Sequence, residues 1–394
     1  MTATSIEFIQ ATTPMGRPDL VSHQLGVYET GRPGPLFIFV GGLHGNEPCG
    51  VIALQEILQE LRLQELPLRG RLVCIAGNLE ALRRGERYID QDLNRSWAAG
   101  SDEEDDSVMI YELAVQRELK ALIEKEIENV SESVVFLDLH STSAGGSPFS
   151  IIGDTRQNRR IAFAFPVPVI LGLEEAVDGS LLGFFGERGH IAIGFEGGQH
   201  EGQDTVRNHV AAIWITLVKS GGLLASETSE VKSAFDQLRA VGNGNPGVIE
   251  LRYCHRVETG DEFVMHPGFS NFDPVVRGQA LANDVNGKVR SREDGLVLLP
   301  LYQGQGDDGF FVGREIRRFW LRVSSVMRVL QIGSIVHWLP GVRRVPNEAE
   351  TLEVNPKVAI WWVVEIFHLL GFRRLRVSAG KLRFSRRVEG LPDN

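Results

Sequence analysis

The sequence predicts an α/β fold built on a largely parallel sheet, and three observations carry that prediction. Four short, continuous apolar runs close at or beside a glycine or histidine, as strands covered on both faces do. Segments with apolar residues at about 3.6-residue spacing lie between them, and strands alternating with helices define an α/β layer. The chain has 394 residues, too many for one small core, which implies more than one domain.

The first run, PLFIFVGG (35–42), leads into CGVIALQEILQELRL (49–63), which has helical periodicity. Pro48 suits its first turn. RLVCIAGN (71–78) is the second strand. DSVMIYELAVQRELKALIEKEIE (106–128) is a longer helix, and the DEEDD run before it puts negative charge at the positive end of the helix dipole. VVFLDLH (134–140) and HIAIGFEGG (190–198) are the third and fourth strands. GQDTVRNHVAAIWITLVKSGG (202–222) has an acidic start and a glycine stop, so it reads as a helix. The character changes after AVGNGNPG (240–247). Gly242, Gly244 and Gly247 spell GxGxxG, but a dinucleotide fingerprint needs a strand before it and a helix after it. Here that order is reversed, so the segment is a linker. Short β-rich pieces follow, and Asn286-Gly287 is a hairpin signal. The expected layout is an α/β domain over 1–246, a small all-β domain over 247–315 and a basic, partly helical appendage over 316–394.

Composition narrows the function classes. With 43% apolar and 23% charged residues the chain is of soluble globular type. MTATSIEFIQATTPMG lacks the basic and apolar regions of a secretory signal. VAIWWVVEIFHLLGF (358–372) is shorter than the roughly 20 residues of a membrane span and carries Glu365 and His368, so it reads as an amphipathic helix. Three cysteines without CxxC spacing point away from disulfides and cysteine-bound zinc, and toward the cytoplasm. The net charge of −10 is uneven: from Arg314 onward there are 15 Lys+Arg against 7 Asp+Glu, and before it 26 against 44. An acidic body argues against nucleic acid as a partner. The basic tail has three candidate surfaces: the acidic body, a second subunit in a homo-oligomer, or an anionic surface.

His44 and Glu47 lie three apart just after a strand. Two histidines and one glutamate form a known catalytic zinc set that leaves a position open. A third ligand has to come from a neighbouring strand end, and FLDLHSTSAGG supplies His140 there, with small residues after it. Each fragment alone is no more than a polar turn or a capping histidine; together they make a site. Asp138 shares a strand face with His140 and suits an orienting role. In GERYIDQDLNRSW (85–97), Arg87, Asn94 and Arg95 offer donors for a carboxylate or an oxyanion. The competing reading is a solvated loop whose arginines pair with Asp90 and Asp92. Glu196 ends the fourth strand, where it could be a general base or could cap the next helix. A buried, unpaired glutamate is costly, which favours a metal or an arginine beside it. GxSxG and HExxH are both absent.

GGLHGNEPCG, RYIDQDLNRSW, DLHSTS and FEGGQH, in this order, resemble the succinylglutamate desuccinylase and aspartoacylase family, part of the wider group of zinc carboxypeptidase-like enzymes. The resemblance covers roughly residues 35–300. It implies an α/β/α core with a mostly parallel or mixed sheet and one Zn2+ held by His44, Glu47 and His140. It also implies Glu196 as base and proton shuttle, Arg87 polarising the scissile carbonyl, and Asn94 with Arg95 binding the substrate carboxylate. HPGFSNFDPVVRGQALANDVNG is similar to the β portion that covers the active-site mouth in that family. The expectation is a zinc-dependent deacylase that cleaves the amide of an N-acyl amino acid or a related small carboxylate-bearing amide. A peptide-trimming metallocarboxypeptidase and a metal-binding scaffold without turnover are the rival readings.

Overall fold

The computed structural model describes residues 20–97, 110–128, 130–200, 202–242, 244–245, 247–346, 348–355, 363–375 and 382–388. The N-terminal stretch, the DEEDD run and residues 358–362 of the late apolar segment lie outside the described residues.

The body begins with β1 (Gln24–Glu29), β2 (Arg32–Gly41), α1 (Cys49–Leu63), β3 (Arg69–Ala76), α2 (Leu79–Arg84), α3 (Tyr111–Ile127) and β4 (Val134–Thr142). It continues with β5 (Phe149–Ile152), α4 (Arg156–Ala162), β6 (Val169–Leu171), α5 (Leu173–Ala176), α6 (Leu181–Gly186), β7 (Ile191–Gln199), α7 (Gln203–Lys219) and α8 (Glu230–Gly242). The four apolar runs of the sequence are β2, β3, β4 and β7. They lie side by side and parallel in the order β3-β2-β4-β7. Alternation along β2 explains the layers on either side of it. Phe37 and Phe39 join the core beneath α1 and α7, while Leu36, Ile38 and Val40 join the core beneath α3 and α6. Helix α1 buries Val51, Leu54, Leu58 and Leu61 on a single stripe.

Beyond the body come β8 (Val248–Arg256), β9 (Val264–Met265), β10 (Pro274–Val275), β11 (Ala280–Asp284), β12 (Gly287–Arg290), β13 (Gly295–Leu298) and β14 (Asp308–Glu315). Gly242, Gly244 and Gly247 do fall between a helix, α8, and a strand, β8. Four of these seven strands extend the main sheet, whose full order is β1-β3-β2-β4-β7-β5-β6-β8-β14-β13-β10, and β12-β11-β9 form a small sheet of their own. The predicted hairpin is present, with its turn at Val285-Asn286 and Gly287 at φ 109°.

The tail holds strands as well as helices. Helices α9 (Arg318–Val329) and α10 (Val363–Leu369) are joined by β15 (Val342–Val345), β16 (Glu348–Val354), β17 (Phe372–Leu375) and β18 (Leu382–Arg386), which form an antiparallel sheet in the order β15-β16-β18-β17. These strands are short, and arginines and glutamates interrupt their apolar positions, so no local pattern marks them. Their cohesion comes from a separate small core that includes Leu352, Val354, Phe367, Phe372 and Phe384. Of the three surfaces open to the basic tail, it occupies the acidic body. Arg328 meets Asp154 at 2.6 Å, and Arg387 spans Glu174 at 2.8 Å and Glu175 at 2.7 Å. His368 sits between Glu175 and Glu250, 3.1 Å from each. Among the described residues, no single helix is long and apolar enough to cross a membrane.

Candidate functional site

The loop after β2 is set by close backbone packing. A Cβ on Gly41 would stand 2.7 Å from the Gly50 carbonyl carbon, and one on Gly45 would stand 1.9 Å from that of Ala81. Only glycine lets the strand end, the start of α1 and helix α2 meet this closely. His44 and Glu47 thereby face the end of β4. His44 Nδ1 lies 2.8 Å from one Glu47 carboxylate oxygen, and His140 Nδ1 lies 3.2 Å from the other. The Ser141 backbone N–H donates to Glu47 at 2.8 Å and fixes its rotamer. Ligand atoms of His44, Glu47 and His140 all lie within 4.8 Å of one another, and all three residues are buried.

The outer nitrogens decide what this centre is for. His44 Nε2 faces Asp92 at 3.1 Å, and His140 Nε2 faces Asp138 at 2.8 Å. With each Nε2–H donated to its aspartate, both Nδ1 atoms turn lone pairs toward Glu47. Three groups that can only accept then converge on one point, which fits a cation. Without a metal, a proton has to take that place. Burial opposes a charged His140, yet Asp138 and Glu47 outweigh it and hold its pKa well above the usual imidazole range. Burial likewise pushes Glu47 up, but His44 and His140 hold it well below the usual carboxylate range. The residues present therefore fit a bound metal ion.

Glu196 stands beside His140 in the register of β4 and β7. It is 7% exposed, and one of its carboxylate oxygens is buried without a partner. Burial pushes its pKa up to about 8. Arg87 donates to Asp92 at 2.8 Å and lies 3.7 Å from Glu47. The loop carrying Arg87 is held by Glu112, a fully buried residue at the start of α3. Glu112 accepts the N–H groups of Ile89, Asp90 and Gln91 and the Asn78 side-chain amide, at 2.6–3.2 Å. The Asn94 side chain accepts from the Leu181 N–H at 2.9 Å, which docks the start of α6. Arg95 pairs with Asp308 at 2.7 Å, while its Nε is buried without a partner. Asp92 thus does pair with Arg87, but Asp90 instead accepts the Tyr111 N–H at 2.7 Å.

A cavity of about 320 Å³ is lined by His44, Glu47, His140, Glu196, Arg87, Asn94 and Arg95 together. It runs past Ile151, Leu182 and Gly194 to Gly153, Glu174, Arg373 and Arg387, so the tail supplies its far wall. The segment before β14 overlies the near end. Gln303 accepts from His200 and from the Asn46 amide, at 2.9 Å and 2.7 Å, and Gln305 accepts from the Arg87 N–H at 3.0 Å. Reading the sequence missed Asp92 as the partner of His44, and it missed Glu112, Asp308, His200 and the two glutamines. Only Glu112 leaves a local trace, as a charged residue in the first turn of α3 at the head of its buried stripe.

A mixed α/β sheet with a buried His–Glu–His group at its strand ends defines the class: an α/β protein with a built place for a metal ion. Residues 33–211 match the Succinylglutamate desuccinylase/Aspartoacylase catalytic domain. Among curated relatives, the succinylglutamate desuccinylase of Pseudomonas paraeruginosa is 33% identical over 104 residues, which is 26% of this chain and 30% of that protein. The enzyme of the same name from Yersinia enterocolitica is 41% identical over 58 residues, 15% of this chain and 18% of that protein. The chain thus spans less than a third of the length of these relatives. The fold is shared with a Rhodobacter sphaeroides succinylglutamate desuccinylase/aspartoacylase structure (TM-score 0.54, 19% identity, 73% of this chain and 87% of that one). It is also shared with the product-bound ectoine utilization protein of Ruegeria pomeroyi (TM-score 0.52, 21% identity, 73% and 87%).

Proposed function

We propose that the chain is a zinc-dependent deacylase acting on the carbon–nitrogen amide bond of N-acyl amino acids or related small amides that bear a carboxylate. One observation carries this reading: an acceptor-only centre lies beside Glu196, a buried carboxylate with an unpartnered oxygen. A zinc ion held by His44, Glu47 and His140 would supply Lewis acidity and make a neighbouring water more acidic. Glu196 takes a proton from the attacking water, and a carboxylate whose pKa lies near neutrality both accepts and returns protons readily. The water oxygen attacks the acyl carbon, and Arg87, already turned toward Glu47, faces the oxyanion that develops. Glu196 then gives the proton to the departing nitrogen, which completes the hydrolysis. Arg95 has an unpaired Nε–H for the substrate carboxylate, and Asn94 holds the adjacent wall.

In this reading residues 1–246 carry the chemistry, 247–315 cover the mouth through Gln303 and Gln305, and 316–394 close the far end. The cysteine usage keeps the cytoplasm as our proposed location. The test is metal analysis of the purified chain combined with a panel of N-acyl amino acids and short peptides. One zinc per chain with turnover of acyl amino acids is expected. Turnover of peptides alone would favour the carboxypeptidase, and a bound metal without any turnover would favour the scaffold.

A further inference from the structure

Helix α9 buries polar groups and leaves large apolar side chains in solvent. Its inward face joins Leu321 and Met327, which pack on the cores, to buried polar groups. Ser324 is fully buried and donates to the Leu369 carbonyl at 2.7 Å, Arg159 donates to Ser324 at 3.1 Å and to the Leu321 carbonyl at 3.0 Å, and Arg328 meets Asp154. Its outward face is apolar: Phe319, Val326 and Leu330, at i, i+7 and i+11, are 63%, 58% and 66% exposed, with Trp320 beside them at 50%. The apolar surface continues past a bend of 82° into the 3₁₀ stretch Ile332–Trp338, where Trp338 is 76% exposed. Of the 17 large apolar side chains exposed among the described residues, 8 fall between Phe319 and Leu339. Single exposed apolar residues need no explanation, but a contiguous face does. Arginines 317, 322, 343 and 344 are exposed in the same stretch, and no Asp or Glu occurs from Ile316 through Asn347.

We propose that this face is a docking surface for an anionic lipid bilayer, with α9 lying in the plane of the interface. An apolar stripe that carries Trp and Phe and is accompanied by arginine is the composition that partitions into the headgroup boundary, and the arginines match the charge of acidic headgroups. Helix α9 has 12 residues, about 18 Å of length, against a hydrocarbon core of about 30 Å. It lies on the surface and does not span. A second copy of the chain is the poorer occupant. A two-fold contact would bring the same arginines face to face with no carboxylate between them.

The experiment is flotation of the full, metal-loaded chain with vesicles of mixed phosphatidylglycerol and phosphatidylcholine, compared with phosphatidylcholine alone. Binding to the anionic vesicles is expected to fall about tenfold or more on neutral vesicles, and to weaken steeply as salt is raised. The double variant Trp320→Ser/Trp338→Ser is expected to lose about tenfold in binding with an unchanged melting curve, because both rings stand in solvent. Arg322→Glu/Arg343→Glu tests the arginines and is expected to abolish the preference for anionic lipid. Absence of flotation with either vesicle would overturn the proposal. So would a stable dimer in light scattering that Trp320→Ser/Trp338→Ser converts to monomer, since the face would then be covered by protein.

Discussion

Two clusters of charged side chains are buried in this molecule, and they differ in whether their charge closes. Around the tail, Asp154, Glu174, Glu175 and Glu250 are met by Arg159, Arg328, Arg387 and His368. Around the site, Glu47, Asp92, Asp138 and Glu196 have Arg87 and two imidazoles. Burying carboxylates in excess of cations is costly. A balanced cluster is structure, whereas one short of positive charge is a place kept for a cation. Asp138 and Glu196 each leave one buried oxygen unbonded at the centre, as Glu174 does in the tail cluster, whereas both oxygens of Asp154 are taken by guanidinium groups.

The sharpest way to break this contrast is Glu196→Gln. If the free oxygen is the base, turnover falls by about 10²–10⁴-fold with metal content unchanged. Retention of most of the rate would remove Glu196 from the mechanism. In the balanced cluster the matching cut is Arg328→Ala, which leaves Asp154 with Arg159 alone. Breaking a buried pair by removing one partner costs about 3–5 kcal/mol, to be read as a lower urea midpoint and earlier proteolysis of the tail. Loss of activity without loss of stability would show that the tail serves the cavity and not the fold.

The four central strands were legible because each is a continuous apolar run. His44, Glu47, His140 and Glu196 were legible because each closes such a run, where α/β sheets gather side chains. What binds the site from outside these runs was not. Asp92 lies 48 residues from His44, and Asp308 lies 213 from Arg95. An ion pair across that separation has no local period to betray it. The tail sheet was hidden for a related reason: its apolar positions are single residues set among arginines. Helix α9 shows the limit of periodicity itself. An apolar stripe announces that a face will be covered, yet nothing in the spacing says whether protein will cover it, and here Ser324 and Arg328 face inward beside Leu321.

A smaller effect tests the charge argument within the centre. Asp138→Asn keeps the shape beside His140 but removes one of the surplus carboxylates. Metal affinity is expected to drop about 10- to 100-fold, as for loss of an orienting partner, and the metal-free protein is expected to melt lower, because it loses the carboxylate that holds His140 charged. Calorimetric titration with zinc and thermal melting in chelator measure the two halves. Unchanged metal affinity would mean that Asp138 does not orient His140.

The smallest effect comes from His368, and it sets the two clusters apart by pH. Burial pulls this ring down, but Glu175 and Glu250 outweigh it and raise its pKa to about 9. Released from the body, the ring returns to about 6.5. The docked tail therefore gains from the charged ring fully below pH ~6.5, and that gain fades as pH rises through ~9. It amounts to no more than about 3 kcal/mol, and to about 1 once the solvent that still reaches the ring screens it. Protease release of the tail should accelerate between about pH 7 and 10, and His368→Gln should flatten that slope. If parent and variant weakened in parallel, another group would be titrating. The metal centre should respond at the opposite end: protons compete for its imidazoles, so acid strips the ion while the tail, with His368 charged, holds.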